Sequence, residues 1–204
     1  MLDSNIQQQL KQTFGNLKTD VVLRVFANDT DKSKELVTLA NDMAELSSLI
    51  SVEEGSNGER APSLQVQGKG SDSSIFFAGV PMGHEFTSLI LAVLHSGGHT
   101  MKVEPELIEQ IRNLEGEFKF ETFISLTCQN CPDVVQALNM MAVINPNISH
   151  VMIDGGVFPE EADSRKVMAV PTVFLNGEQF TQGRTSLAKI VNKIDTGAAK
   201  RQAA

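Results

Sequence analysis

Two cysteines, Cys128 and Cys131, are the only thiols in the chain, separated by Gln129 and Asn130 and followed by Pro132. At this spacing two thiols can close on each other as a disulfide and reopen by exchange. Exchange needs an exposed thiolate, an in-line approach to the partner's sulfur and a resolving thiol close by. The flanking residues fit that chemistry. Upstream, residues 118–126 read as a strand with Phe118, Phe120, Thr122 and Ile124 on one face. Downstream, Val134, Val135, Leu138, Met141 and Ala142 recur at helical spacing. The pair therefore stands where a strand hands over to a helix. Unpaired N–H groups at a helix start lower the pKa of a nearby thiol. Cys128 is thus the expected attacking group, and Cys131, one turn in, the more buried resolving group. Pro132 has no N–H to lose in a first turn.

Other uses of the pair are weaker. A bridge over so short a loop staples almost nothing, and this spacing in a reducing compartment reads as redox chemistry or half a metal site. A zinc site needs four ligands, and His84, His95, His99 and His150 show no ligand spacing. Val170–Pro171 is next in importance: a proline at the mouth of a strand, after a flexible segment, suits a cis bond. His150 reads as a strand or surface histidine, Asp154–Gly155–Gly156 as a turn, and Met140, Met141 and Met152 as core packing. No glycine-rich dinucleotide fingerprint is present, since Gly68–Lys69–Gly70, Gly79 and Gly83 lack its spacing. No FAD, NAD or metal is expected on this chain.

The 204 residues allow one large domain or two of about 100. Apolar residues, 41% of the total, are enough for a core. The net charge of -8, with no Lys/Arg cluster, excludes a nucleic-acid surface. No stretch approaches the roughly 18 apolar residues of a membrane span. The first residues lack a basic region followed by an apolar one, so a cytoplasmic protein is expected. Trp and Tyr are absent.

The elements that must position the dithiol form a repeated series. Helix 4–17, strand 21–26, helix 32–46, strand 49–52, strand 61–66, strand 74–79 and helix 84–95 come first. Residues 99–105 make the best boundary, following Gly97–Gly98 and ending at Pro105. A helix carrying Leu107, Ile111, Leu114 and Phe118 then restarts the series. The strand and the cysteine motif follow, then a helix to about 145, strand 148–153, a short helix within 158–167 and strand 170–175. Asn176–Gly177 is a hairpin turn into strand 178–181, and Leu187, Ile190, Val191 and Ile194 make the closing helix. Pro62–Ser63–Leu64 parallels Pro171–Thr172–Val173, and Phe77–Ala78–Gly79 parallels the stretch ending at Gly183. Each half is an α/β unit with a parallel crossover and then a hairpin. Where the second half has its cysteines, the first has Asn28 to Ser33. It cannot exchange disulfides, so it must position, cover or tune the second half or bind a partner.

This order resembles the thioredoxin fold, and the chain as a whole resembles the N-terminal region of bacterial alkyl hydroperoxide reductase flavoprotein subunits. The residues that carry the likeness are Thr127–Cys128–Gln129–Asn130–Cys131–Pro132–Asp133–Val134–Val135, Ile153–Asp154–Gly155–Gly156, Val170–Pro171 and Asn176–Gly177–Glu178. Gly183–Arg184 and Asp195–Thr196–Gly197–Ala198 add to it. The resemblance implies an α/β protein of two tandem thioredoxin-like folds, each a central mixed sheet flanked by helices. Residues 1–101 would be a cysteine-free half, 102–196 the redox-active half, and 197–204 a tail or the start of a linker. It implies that Cys128 and Cys131 take electrons from a dithiol in a C-terminal flavoprotein part that uses FAD and NADH, and pass them to the disulfide of a peroxiredoxin. The full-length protein would be a homodimer. Pro171 would face the dithiol and present its neighbours' backbone to a partner strand. The family has a glutamate on the cysteine-free half that approaches the dithiol, matched here by Glu85, which spacing alone reads as a solvated residue at a helix start. Thr127 stands where thioredoxin has a tryptophan, and Thr122 where it has a buried acid. A general thioredoxin- or glutaredoxin-like disulfide reductase and a non-catalytic scaffold are the alternatives.

Overall fold

The computed structural model describes residues 2–56, 58 and 60–195. The expected tail at 197–204 and the 195–198 match beyond Asp195 lie outside these residues. The first unit consists of α1 (Ser4–Phe14), β1 (Val21–Phe26), α2 (Asp31–Ala44), β2 (Ile50–Glu54), β3 (Ser63–Gly68), β4 (Ser74–Ala78) and α3 (Phe86–Ser96). The second consists of α4 (Pro105–Arg112), β5 (Phe118–Ile124), α5 (Cys131–Ile144), β6 (Ile148–Asp154), α6 (Pro159–Ser164), β7 (Thr172–Leu175), β8 (Glu178–Gln182) and α7 (Leu187–Ile194). A helical turn, Gly83–Glu85, precedes α3. Phe118, placed on both the helix and the strand by the sequence pattern, belongs to β5, because α4 stops at Arg112. The helix expected over 84–95 starts later, at Phe86.

The strands form one eight-stranded sheet in the order β2-β1-β3-β4-β6-β5-β7-β8. Within each unit a parallel pair (β1 with β2, β5 with β6) is followed by an antiparallel hairpin (β3 with β4, β7 with β8). The units join edge to edge where β4 pairs in parallel with β6, from Ser74 opposite Ser149 to Ala78 opposite Ile153. This seam satisfies two strand edges that would otherwise be open to pairing with other chains.

Alternation along the strands sets the two faces. Val21, Leu23 and Val25 of β1, Ile75 and Phe77 of β4, and Ile148 and Met152 of β6 are buried on one face. There they join Phe14, Leu36, Met43, Leu89, Ile111, Leu138 and Ile190 from six helices in one core that runs through both units. The opposite face carries a smaller cluster, Ala78, Phe123, Ile153 and Phe174, covered by Phe158, Ala162 and Val167 around α6. Met141 and Met152 lie in the main core as expected, whereas Met140 is only half-buried.

The helix starts differ in whether a side chain caps them. Asp3, Thr30 and Ser186 each cap a helix by accepting a backbone N–H, from Ile6, Ser33 and Lys189. The start of α5 has no side-chain cap.

Candidate redox site

β5 delivers the chain to residues 125–130 at the carboxyl ends of the parallel strands, and α5 then begins at Cys131. The Cys128 N–H donates to the Ser125 carbonyl at 2.9 Å, which tightens the turn. Cys128 and Cys131 are joined as a disulfide, with Cα atoms 5.5 Å apart. Cys131 is completely buried in the main core, whereas Cys128 is half-buried. Cys131 is thus the more buried of the two, as its place one turn into the helix led one to expect.

The uncapped start of α5 is part of the site. Asn130 occupies the cap position but its side chain bonds to no backbone N–H. Unpaired donors and the helix dipole at this end favour a thiolate over a thiol. Opposite them runs the segment before β7. The Val170–Pro171 bond is cis, and the Val170 carbonyl oxygen stands 3.8 Å from Cys128 Sγ. This segment is fixed at both ends. The Thr172 hydroxyl donates to the Ala169 carbonyl at 2.6 Å, and the Gly183 N–H donates to the Pro171 carbonyl at 2.8 Å. An Arg184–Asp133 ion pair closes the rim beside Pro132. Thr127 is exposed, and its hydroxyl shares a hydrogen bond with Ser125 at 3.1 Å.

Beneath the loop, Thr122 is fully buried, as is His150, which lies on a strand as expected but faces the core and not the surface. The Thr122 hydroxyl lies 2.8 Å from His150 Nε2, and His150 Nδ1 lies 2.7 Å from Asn139 Oδ1. With the amide in this orientation, Nδ1–H donates to Asn139 and Nε2 accepts from Thr122. Burial pushes the imidazole pKa down to about 3, so it stays neutral. The alternation Ile148, His150, Met152 on β6 carries the signal that His150 faces inward. Glu121 points the other way, as its strand parity requires, and pairs with Arg60 and Arg165 at 2.7 Å each.

The first unit reaches the site through the turn before α3. The His84 N–H donates to the Leu126 carbonyl at 3.0 Å. At Gly83, with φ of 57°, an added Cβ would lie 2.6 Å from that same oxygen, so the approach admits no side chain. Glu85 sits in this turn with no exposure at all, which corrects the solvated position that spacing suggested. Neither carboxylate oxygen has a hydrogen-bond partner. Burial raises its pKa to about 7, with the nearby Ser88 hydroxyl pulling the other way. Ser88, at 3.2 Å, accepts from Gln136 of α5.

Arg60 had no signal in the sequence. It reaches from the loop before β3 to Glu161 at 2.6 Å and Glu121 at 2.7 Å, while Arg165 stacks 3.9 Å over the Phe174 ring. Its partners are 61 and 101 residues away along the chain. The second cis bond, Ala61–Pro62, matches the repeat of Pro62–Ser63–Leu64 in Pro171–Thr172–Val173. A shallow cavity of about 500 Å³ lined by Phe26, Ser63, Phe76 and Lys119 lies on the open sheet face and does not include the cysteines. Among the described residues no group of three or more His, Cys, Asp and Glu could hold a metal ion, and no helix is long and apolar enough to cross a membrane.

A thioredoxin-domain family model matches residues 118–196. The chain is 53% identical over 203 residues to the alkyl hydroperoxide reductase F subunit of Pseudomonas putida, covering all of this chain and 39% of that protein. It therefore spans about two fifths of the length of such curated relatives. Among solved structures it is similar to the NTD_N/C domain of the reductase AhpF from Enterococcus faecalis. The TM-score is 0.88 with 33% identity, covering 95% of this chain and 100% of that one. A protein disulfide oxidoreductase from Aeropyrum pernix shares the fold, with a TM-score of 0.83 at 22% identity over 98% of this chain and 96% of that one.

Proposed function

The chain belongs to the AhpF family of alkyl hydroperoxide reductases, corresponding to its N-terminal domain, and on that premise we propose that it carries electrons between a flavoprotein dithiol and a peroxiredoxin disulfide. The observation that carries this reading is Cys128: half-buried, at an uncapped helix start, and bonded to a resolving cysteine that is wholly enclosed. In the reduced chain the Cys128 thiolate attacks one sulfur of the peroxiredoxin disulfide. The S–S bond breaks, and the displaced sulfur leaves as a thiolate. Cys131 then loses its proton and attacks Cys128 Sγ in the mixed disulfide, releasing the second peroxiredoxin thiolate. The chain ends oxidised and the peroxiredoxin reduced, ready for a hydroperoxide. A second dithiol, in a C-terminal flavoprotein part of the longer protein, reduces Cys128–Cys131 again by the same exchange.

FAD and NADH do not fit this chain. The turns after β1 and β5 hold Asn28 to Thr30 and Leu126 to Asn130, with no glycine-rich cradle for a phosphate. They belong to that C-terminal part. In this reading residues 102–196 are the working half and residues 1–101 support it through Glu85, while cis-Pro171 and Thr127 shape the mouth. The protein works in the cytoplasm and its full-length form is a homodimer. The test mixes the reduced chain with oxidised peroxiredoxin and, separately, with insulin disulfides. Fast transfer to the first and slow transfer to the second is expected. Equal turnover of both would favour a general disulfide reductase, and no transfer to either would leave a scaffold.

A further inference from the structure

One side chain ties together the two walls of the dithiol. The walls are the start of α5 and the segment that ends in cis-Pro171. Arg184 lies just beyond β8, and the N–H of Gly183 before it holds the Pro171 carbonyl at 2.8 Å. From there Arg184 Nε pairs with Asp133 Oδ2. Asp133 is the acidic residue of the first turn of α5, whose cap residue, Asn130, bonds to none of its N–H groups. Pro132 lies in the same turn and has no N–H to offer. A carboxylate in a first turn is drawn to the same positive helix end that stabilises a thiolate. An unpaired Asp133 would therefore compete with a negative charge on Cys128 for few donors. Arg184 balances that carboxylate and draws it to the rim.

Resting on the function proposed above, we propose that Arg184 is a positioning residue for Cys128. By neutralising Asp133 and holding it at the rim, it keeps the uncapped start of α5 free for the thiolate that attacks the peroxiredoxin disulfide. The pair itself adds little stability, because its side chains are 67% and 47% exposed. Its effect falls instead on the charge beside the thiol. The other titratable groups on elements packed around the loop are His84 and Glu85 before α3, Asp154 at the end of β6, and His150 beneath. Glu85 and His150 are fully buried, and Asp154 accepts the Gly156 N–H at 2.9 Å. All four stay in place when Arg184 or Asp133 is replaced, so a change in Cys128 reports the ion pair.

The test needs no partner protein. The reduced chain is alkylated with iodoacetamide from about pH 4 to 10, and the midpoint of the rate profile gives the thiol pKa. Mass spectrometry separates reaction at Cys128 from reaction at the buried Cys131. Arg184→Gln is expected to raise the midpoint by about half a unit, which slows alkylation about threefold at lower pH. Asp133→Asn should move it slightly the other way, since Arg184 then stands unpaired. The double variant, Arg184→Gln with Asp133→Asn, should return close to the unaltered midpoint. Both Arg184→Gln and the double variant lack the ion pair, but only the first leaves a bare carboxylate, so the two separate charge from structure. An unchanged midpoint in Arg184→Gln, or a double variant displaced as far as it, would overturn this inference and leave the functional reading standing. Failure of the unaltered chain to reduce oxidised peroxiredoxin would overturn the functional reading and this inference with it.

Discussion

The two units share a strand order but end their first strands in opposite ways. In the first, Phe26 opposite Ser63 is followed by α2 at Asp31; in the second, Phe123 opposite Thr172 is followed by α5 only at Cys131. The second unit therefore has a longer turn at this point, and the cysteines occupy it. The shorter turn is closed by its own polar groups. Asn28 donates to the Ala61 carbonyl at 3.0 Å, just before cis-Pro62, and accepts from Ser33 at 2.6 Å, while Thr30 caps α2. In the second unit the corresponding carbonyl, Val170, faces a sulfur, and the helix start is uncapped. The same scaffold is thus either satisfied internally and inert, or left with open donors beside a thiol. The first unit has no thiol at this turn and closes it with its own polar groups; the second has a disulfide there and leaves the adjoining helix start uncapped.

The largest effect should come from the cysteines. Cys128→Ser should lower peroxiredoxin reduction by a factor on the order of a thousand or more, and Cys131→Ser should accumulate a mixed disulfide visible on a non-reducing gel. Asn28→Ala should leave the rate unchanged and cost about 1 kcal/mol of stability. A slowed rate in that variant would break the contrast between an inert and a working turn.

Glu85 tests whether the first unit tunes the second. Its raised pKa means that the unfolded chain gives up this proton near pH 4.5 and the folded one only near pH 7. Stability therefore falls as pH rises through that window and stays low above it. Glu85→Gln should make the protein about 3 kcal/mol more resistant to urea at pH 8 and nearly neutral in effect below pH 4.5. It should also alter the pH dependence of exchange at Cys128. A superimposable rate profile from pH 5 to 9 would confine Glu85 to a structural role. A smaller effect is expected from Arg60→Ala, about 2 kcal/mol by urea unfolding, because Glu161 loses a partly buried partner while Arg165 still holds Glu121. The exchange rate should hardly move; a large drop would mean that the seam between the units also shapes the dithiol.

Local patterns make much of this molecule legible. The alternation in Val21–Phe26, the spacing of Leu36, Leu39 and Met43, and the Asn176–Gly177 turn each depend on neighbours a few residues away. Cys128, Cys131 and cis-Pro171 are legible for the same reason, because a motif at a strand-to-helix junction carries its own geometry. His150 is read correctly as a strand residue, and only its surface alternative fails, since the alternation of β6 points it inward. Glu85 needs the resemblance, because nothing in His84–Glu85–Phe86 says that a neighbouring unit will cover it. Arg60 cannot be read at all, as its partners are brought near only by folding.

By itself, the sequence determined the elements, their repetition and the single pair of residues able to exchange electrons, since each follows from short-range spacing and side-chain chemistry. Only the tertiary structure decided that two units share one sheet through β4 and β6, that Glu85 is enclosed, and that Arg184 is set against Asp133. Those outcomes depend on pairings between distant segments, where burial is set by whichever surface arrives opposite and not by the residue's own neighbours.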